Sequence, residues 1–310
     1  MRIRLVVVMA LALLLSGCVP LIVWLSRAVP LPQPSEGPRV TLPTATFTAS
    51  ALLADAACAP AAELPADIVR LIEEILQAEA ACLDLGHGSD PIAVFEVEGL
   101  RALDIWELLE SVLPDAGWWP VIVGDGPSLD LLIDAASHSN VSVREVYRAA
   151  DDIDYAKWIT ERTQLIVGDG SLPETDEVFE LSERDAHYLT NQDALTGDFL
   201  PRVYMLLVPA EESPDVVAQV LFGCWNDNPC PAEHLAVLRH WHEVYEADIV
   251  SIGDQLEVRV GRPPTDWESA MQLAREQYVY DYDIVDQGVG TINRLAQEIG
   301  RAGSWYFWWD

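Results

Sequence analysis

Positive charge is the scarcest property of this chain. Its 310 residues include 18 Lys and Arg against 50 Asp and Glu, a formal net charge of −32, and Lys157 is the only lysine. Such a field repels phosphate backbones and anionic headgroups alike, which argues against a nucleic-acid partner and against charge-driven contact with a membrane. The short signatures of common chemistries are also missing. There is no Cys-x-x-Cys or His-Glu-x-x-His for a metal, no Gly-x-Ser-x-Gly for a serine nucleophile and no Gly-x-Gly-x-x-Gly for a dinucleotide. Neither a cofactor nor a metal is expected. The low hydrophobicity that accompanies high charge in disordered chains is absent too, since 50% of residues are hydrophobic and 11 are tryptophan. The composition is that of a folded protein with a sizeable core.

The N-terminus carries the most specific local pattern. Arg2 and Arg4 precede an apolar run from Leu5 to Leu15, followed by Leu15-Ser16-Gly17-Cys18. A basic start, a hydrophobic core and small residues at a cut form an export signal. The ending resembles the lipobox of bacterial lipoproteins, which implies cleavage after residue 17 and acyl chains on Cys18. The alternative is an uncut anchor, because Leu5 to Leu25 is long enough to span a bilayer. Both readings place the remainder on the extracytoplasmic face of the cell membrane. Without Cys18, four cysteines remain in a compartment that permits disulfides. Sequence proximity favours Cys58 with Cys82 and Cys224 with Cys230.

Residues 18–62 read as a lipid anchor and linker, with Pro30, Pro32, Pro34, Pro38 and Pro43 among Thr, Ser and Ala. Residues 63–200 read as an N-terminal α/β region. Apolar spacing predicts a helix from Asp67 to Leu83 with Cys82 on its buried stripe, and a strand over 92–97. A helix over Leu103 to Leu113, a strand over Trp119 to Val123 and helices near 142–150 and 154–163 follow. A near-repeat pairs Val121-Ile122-Val123-Gly124-Asp125-Gly126 with Leu165-Ile166-Val167-Gly168-Asp169-Gly170, each read as a buried strand running into a turn. In residues 201–310, Val203 to Val208 is a central strand, and Ser213-Pro214 opens a helix that Gly223 ends. Pro231 starts another, to Tyr245. Ile249–Ile252 and Leu256–Val260 form a hairpin, Thr265 to Glu268 a capping box, and Thr291 to Gly300 a last helix before an aromatic terminal strand. The elements mix without steady βα alternation, so the expected class is α+β, a mixed sheet flanked by helices.

Within that last third, Gly223-Cys224-Trp225-Asn226, Asp286-Gln287-Gly288 and the closing Trp305-Tyr306-Phe307-Trp308-Trp309-Asp310 carry a resemblance. Val203 to Asp310 resembles the bacterial domain of unknown function 4253 family. Typical members have Gly-Gly-Trp-Asn where this chain has Cys224, and they lack a lipoprotein signal. The resemblance implies a domain boundary and supplies no activity.

The remaining chemistry is sparse. His240 and His242 lie on opposite flanks of a helix and cannot hold one ion together. Asp281, Asp283 and Asp286 fail the EF-hand pattern at Val285, Asp286 and Ile292, which leaves open an irregular calcium site that would include Asp151, Asp152 and Asp154. Trp225, Asn226, Asp286 and Gln287 stand at irregular positions, where they either line a shared binding groove or knot the loops together. The function that fits is a non-catalytic binding or accessory lipoprotein whose membrane contact is its lipid. The alternatives are an immunity-type protein against a basic toxin, with that basic protein as partner, and a hydrolase with an unrecognised carboxylate site. In the lipoprotein reading, Cys18→Ala leaves a heavier precursor without acyl mass. An intact mass that retains residues 1–17 in the unaltered protein selects the uncut anchor instead.

Overall fold

The computed structural model describes residue 72, residues 81–168 and residues 170–310. The export signal, Cys18, the linker and Cys58 lie outside the described residues. One mixed sheet organises everything else. Its strands are β1 (Ala81–Leu83), β2 (Ile92–Val97), β3 (Trp118–Gly124), β4 (Val203–Pro209), β5 (Ala247–Ile252), β6 (Gln255–Val260) and β7 (Ser304–Trp308). Their order across the sheet is β1-β2-β4-β3-β5-β6-β7. All neighbours pair antiparallel except β3 and β5, which are parallel. The fold is α+β. Because β4 lies between β2 and β3, the regions on either side of residue 201 share one sheet and one hydrophobic core.

Strands β3, β4 and β5 are almost wholly buried, as the central strands of a sheet covered on both faces must be. Among the described residues eight α-helices flank the strands: α1 (Ala102–Glu110), α2 (Gly126–Ser137), α3 (Val143–Asp151), α4 (Tyr155–Val167), α5 (Val216–Gln219), α6 (Pro231–Tyr245), α7 (Trp267–Tyr280) and α8 (Ile292–Ile299). Buried indoles are tied down by backbone carbonyls: Trp106 of α1 donates to Pro120 at 2.8 Å and Trp119 to Ile249 at 2.9 Å. Over the far end of the sheet, Trp241 of α6 stacks on Phe307 of β7, and Tyr280 of α7 meets Phe307 edge-on. Aromatic pairs of this geometry add about 0.5–1.5 kcal/mol each beyond the area they bury.

The structure corrects four local expectations. Leu165-Ile166-Val167 is the last turn of α4, with Leu165 78% exposed, so the six-residue likeness to β3 marks a helix end rather than a strand. The helix opened by Ser213-Pro214 is a short 3₁₀ turn followed by α5, ending at Gln219 well before Gly223. Asp266, not Thr265, caps α7, accepting from the Ser269 backbone at 3.0 Å. Cys82 lies half-buried on β1 rather than on a helical stripe. It is disulfide-bonded, with its partner outside the described residues. Cys224 and Cys230 are bonded to each other.

The stretch between α4 and β4 has no helix or strand among its described residues, yet it is strapped down along its length. The Asn293 amide of α8 binds the backbone of Thr175 and Glu177. Ser304 Oγ of β7 bonds both the N–H and the C=O of His187. Glu257 of β6 accepts from Leu189 N–H at 2.6 Å and Thr190 N–H at 3.1 Å, and also from Ser251 Oγ at 2.8 Å. At the far end Asn191 Nδ2 donates to Gly99, where a Cβ would sit 2.1 Å from the Leu200 carbonyl oxygen, so only glycine lets the strap close.

Glu257 is 1% exposed and faces no cation among its hydrogen-bond partners. Burial, offset by its three donors and reinforced by the nearby Asp254 charge, pushes its carboxyl from 4.5 up to about 7. A folded-state pKa above the unfolded value means that the native protein holds this proton more tightly. The associated stability is complete below pH ~4.5 and is lost as pH rises through ~7. Denaturant titrations between pH 5 and pH 8 are expected to show Glu257 removing at most about 3 kcal/mol over that window. In Glu257→Gln this part of the pH dependence disappears. An unchanged pH profile in the variant rejects the assignment.

Candidate functional site

Side chains alternate across β6 and β7, so their register decides what each face presents. Leu256 and Val258 lie opposite Phe307 and Trp305 and are buried in the aromatic layer with α6. The residues between them point the other way: Gln255 is opposite Trp308, and Glu257 is opposite Tyr306. With the strap and the chain between α7 and β7, that face encloses a cleft of about 990 Å³. Residues from both faces of β7, the last strand of the sheet, line the cleft, so it reaches around the sheet edge.

The lining is strongly acidic. Asp125, Asp185, Asp193, Asp254, Glu257 and Glu298 contribute to it, and Arg184 is the single arginine or lysine among the described lining residues. Asp125 also caps α2 through Ser128 N–H. Burial raises the Glu298 carboxyl above its ordinary value, and burial together with Glu257 and Asp254 holds the Tyr306 hydroxyl well above its own. Two buried donors among the lining residues have no partner: Gln277 Nε2, on a side chain 1% exposed, and Trp305 Nε1, on one 3% exposed.

Trp225, Asn226, Asp286 and Gln287 are not among the cleft-lining residues. Trp225 is half-buried and meets Phe222 edge-on, with ring centres 4.8 Å apart. Asn226 is exposed at φ 49°. Asp286 and Gln287 are exposed on a π-helical turn over Ile284–Val289, where Gln287 Nε2 donates to Asp283 at 2.8 Å. The two segments do adjoin, through the Tyr282 hydroxyl donating to the Asp227 carboxylate. The bonds that knot this region run through neighbours of the four residues. Asn228 Oδ1 lies 2.5 Å from His234 Nε2, and Tyr280 Oη lies 2.5 Å from His234 Nδ1. Burial holds His234 well below its usual pKa and therefore neutral, so Nε2–H donates to Asn228 and Nδ1 accepts from the tyrosine. Asp281 and Asp283 accept from the backbone N–H groups of Trp308 and Asp310 and fasten the chain end.

His240 and His242 have separate partners. His240 stacks on Tyr155 at 3.8 Å, and His242 bonds Asp248 at 2.9 Å, which raises its pKa. Asp151 pairs with Arg239 and Asp154 caps α4, well apart in role from Asp281 and Asp283. Among the described residues no group of three or more His, Cys, Asp or Glu is arranged to hold a metal ion.

Sequence reasoning passed over Glu257, Gln277 and the strap. Glu257 looks like any outward residue of an alternating strand. Gln277 is a polar residue on the helical face that buries Leu273, Ala274 and Tyr278, a signal that was available.

Neither a curated protein nor a solved structure gives a significant match to the chain. A family model does match, over residues 204–310. The last third of the chain, through the closing aspartate, thus matches the family described as Domain of unknown function (DUF4253).

Proposed function

We propose that this protein is a lipoprotein held on the extracytoplasmic face of the membrane through Cys18, and that it binds a neutral or cationic ligand in the acidic cleft without transforming it. The observation that carries the reading is the cleft itself, which combines about 990 Å³ with an excess of carboxylates over its one arginine. Pockets of this size suit small molecules, and the field inside repels anions. Among the described residues no helix is long and apolar enough to cross a membrane, so attachment in this reading rests on the N-terminal segment.

A hydrolase using the Glu257 carboxyl is the runner-up, favoured by a pKa of about 7 in a cleft. The hydrogen bonds argue against it. Both oxygens of Glu257 already accept from the strap, and Oε2 accepts from Ser251 as well, so the group clamps a loop rather than waiting for a substrate proton. A basic protein partner, as an immunity role would need, fits the overall charge but has no observation tied to the cleft.

The test is a thermal-shift and calorimetric panel on the detergent-solubilised full chain, with spermidine as the cationic probe and citrate as the anionic one. Spermidine is expected to bind, more weakly as salt is raised, and citrate is expected not to bind. Asp254 and Asp185 are exposed and line the cleft. Replacing both with asparagine is expected to weaken spermidine several-fold and leave the unfolding midpoint unchanged. Equal binding of both probes, or indifference to the two substitutions, rejects the acidic cleft as the site.

A further inference from the structure

The unpartnered donors narrow the ligand class, on the premise that the cleft is a binding site. Gln277 comes from α7 and Trp305 from β7, which are distant in sequence, yet both line the cleft. Both side chains are nearly inaccessible, and each leaves a nitrogen without a hydrogen-bond partner. Native interiors satisfy the great majority of such groups, because an orphaned buried donor keeps its desolvation cost with nothing in return. Two orphans in the lining of one cleft are what a site shows when the acceptor belongs to a ligand. Other residues of the lining supply the complementary half: the Glu298 carboxylate accepts, and Tyr306 and Trp308 add ring surface. A group that accepts from N–H and donates to a carboxylate in the same place is a hydroxyl, and a ligand with several of them beside ring faces is a saccharide. Six acidic residues exclude acidic sugars and favour amino substituents.

We infer that Gln277 and Trp305 form a saccharide subsite of the cleft, with the Gln277 amide and the Trp305 indole N–H donating to oxygens of a neutral or amino sugar.

Calorimetry on the solubilised full chain would use a glucosamine trisaccharide, its glucuronic-acid counterpart and spermidine. The glucosamine trisaccharide is expected to bind and the glucuronic-acid one is not. Gln277→Leu and Trp305→Phe each remove a donor while keeping much of the side-chain volume, and each is expected to weaken the trisaccharide about tenfold, the size of one lost hydrogen bond. Because the Gln277 amide nitrogen has no partner in the free protein, Gln277→Leu should unfold at the same temperature as the parent or higher, whereas Trp305→Phe also gives up packing against Trp241 and Tyr245. Spermidine binding without trisaccharide binding overturns the saccharide class and leaves the acidic cleft standing. Failure of all three probes overturns both. Unchanged trisaccharide affinity in the variants, or a marked drop in the unfolding temperature of Gln277→Leu, overturns the subsite.

Discussion

A single buried carboxylate gives the acidic face of this protein its shape. Glu257 sits on β6 with both oxygens occupied by Leu189 N–H, Thr190 N–H and Ser251. An unstructured connection of this length would ordinarily lie loose on the surface. Here its two consecutive amides are seized from below, while Ser304 and Asn191 hold it on either side. The sheet face beneath the strap becomes the floor of a cleft because something roofs it. Holding a charge away from water is costly, and the carboxyl titrates near neutrality as a result.

The opposite face follows a different rule. Trp241, Tyr280, Phe307 and Trp309 form a layer of rings around neutral His234, and the final residues of the chain belong to it. Edge strands invite pairing with other chains. β7 ends with its Trp308 N–H taken by Asp281, and the following Asp310 N–H is taken by Asp283. The aromatic ending is thereby locked against its own protein. Burial raises the Asp281 carboxyl well above its ordinary value, offset in part by the amides it holds.

Much of the fold was legible because its elements are locally consistent. Period-2 and period-3.6 patterns located strands such as Val203–Pro209 and helices such as Pro231–Tyr245, with proline and capping residues marking where several begin. Errors arose where a local pattern had two readings. Leu165-Ile166-Val167 looks like a buried strand, yet it completes a helix that Asp154 had started. The candidate site was less legible still. The half-buried Trp225 and the exposed Asn226, Asp286 and Gln287 stand out in the sequence by their chemistry, whereas the cleft is built from Glu257, Gln277 and a loop without a motif.

The sequence by itself determined the α+β class, the bonded pair Cys224–Cys230 and the family likeness of the last third, because each depends on residues near one another in the chain. Tertiary structure decided that β4 enters between β2 and β3, that Glu257 meets residues 67 and 68 positions away, and that Gln277 and Trp305 line one cleft. Those facts come from strand order and burial. Side-chain patterns report which face of an element is apolar, but they do not report which distant element covers it.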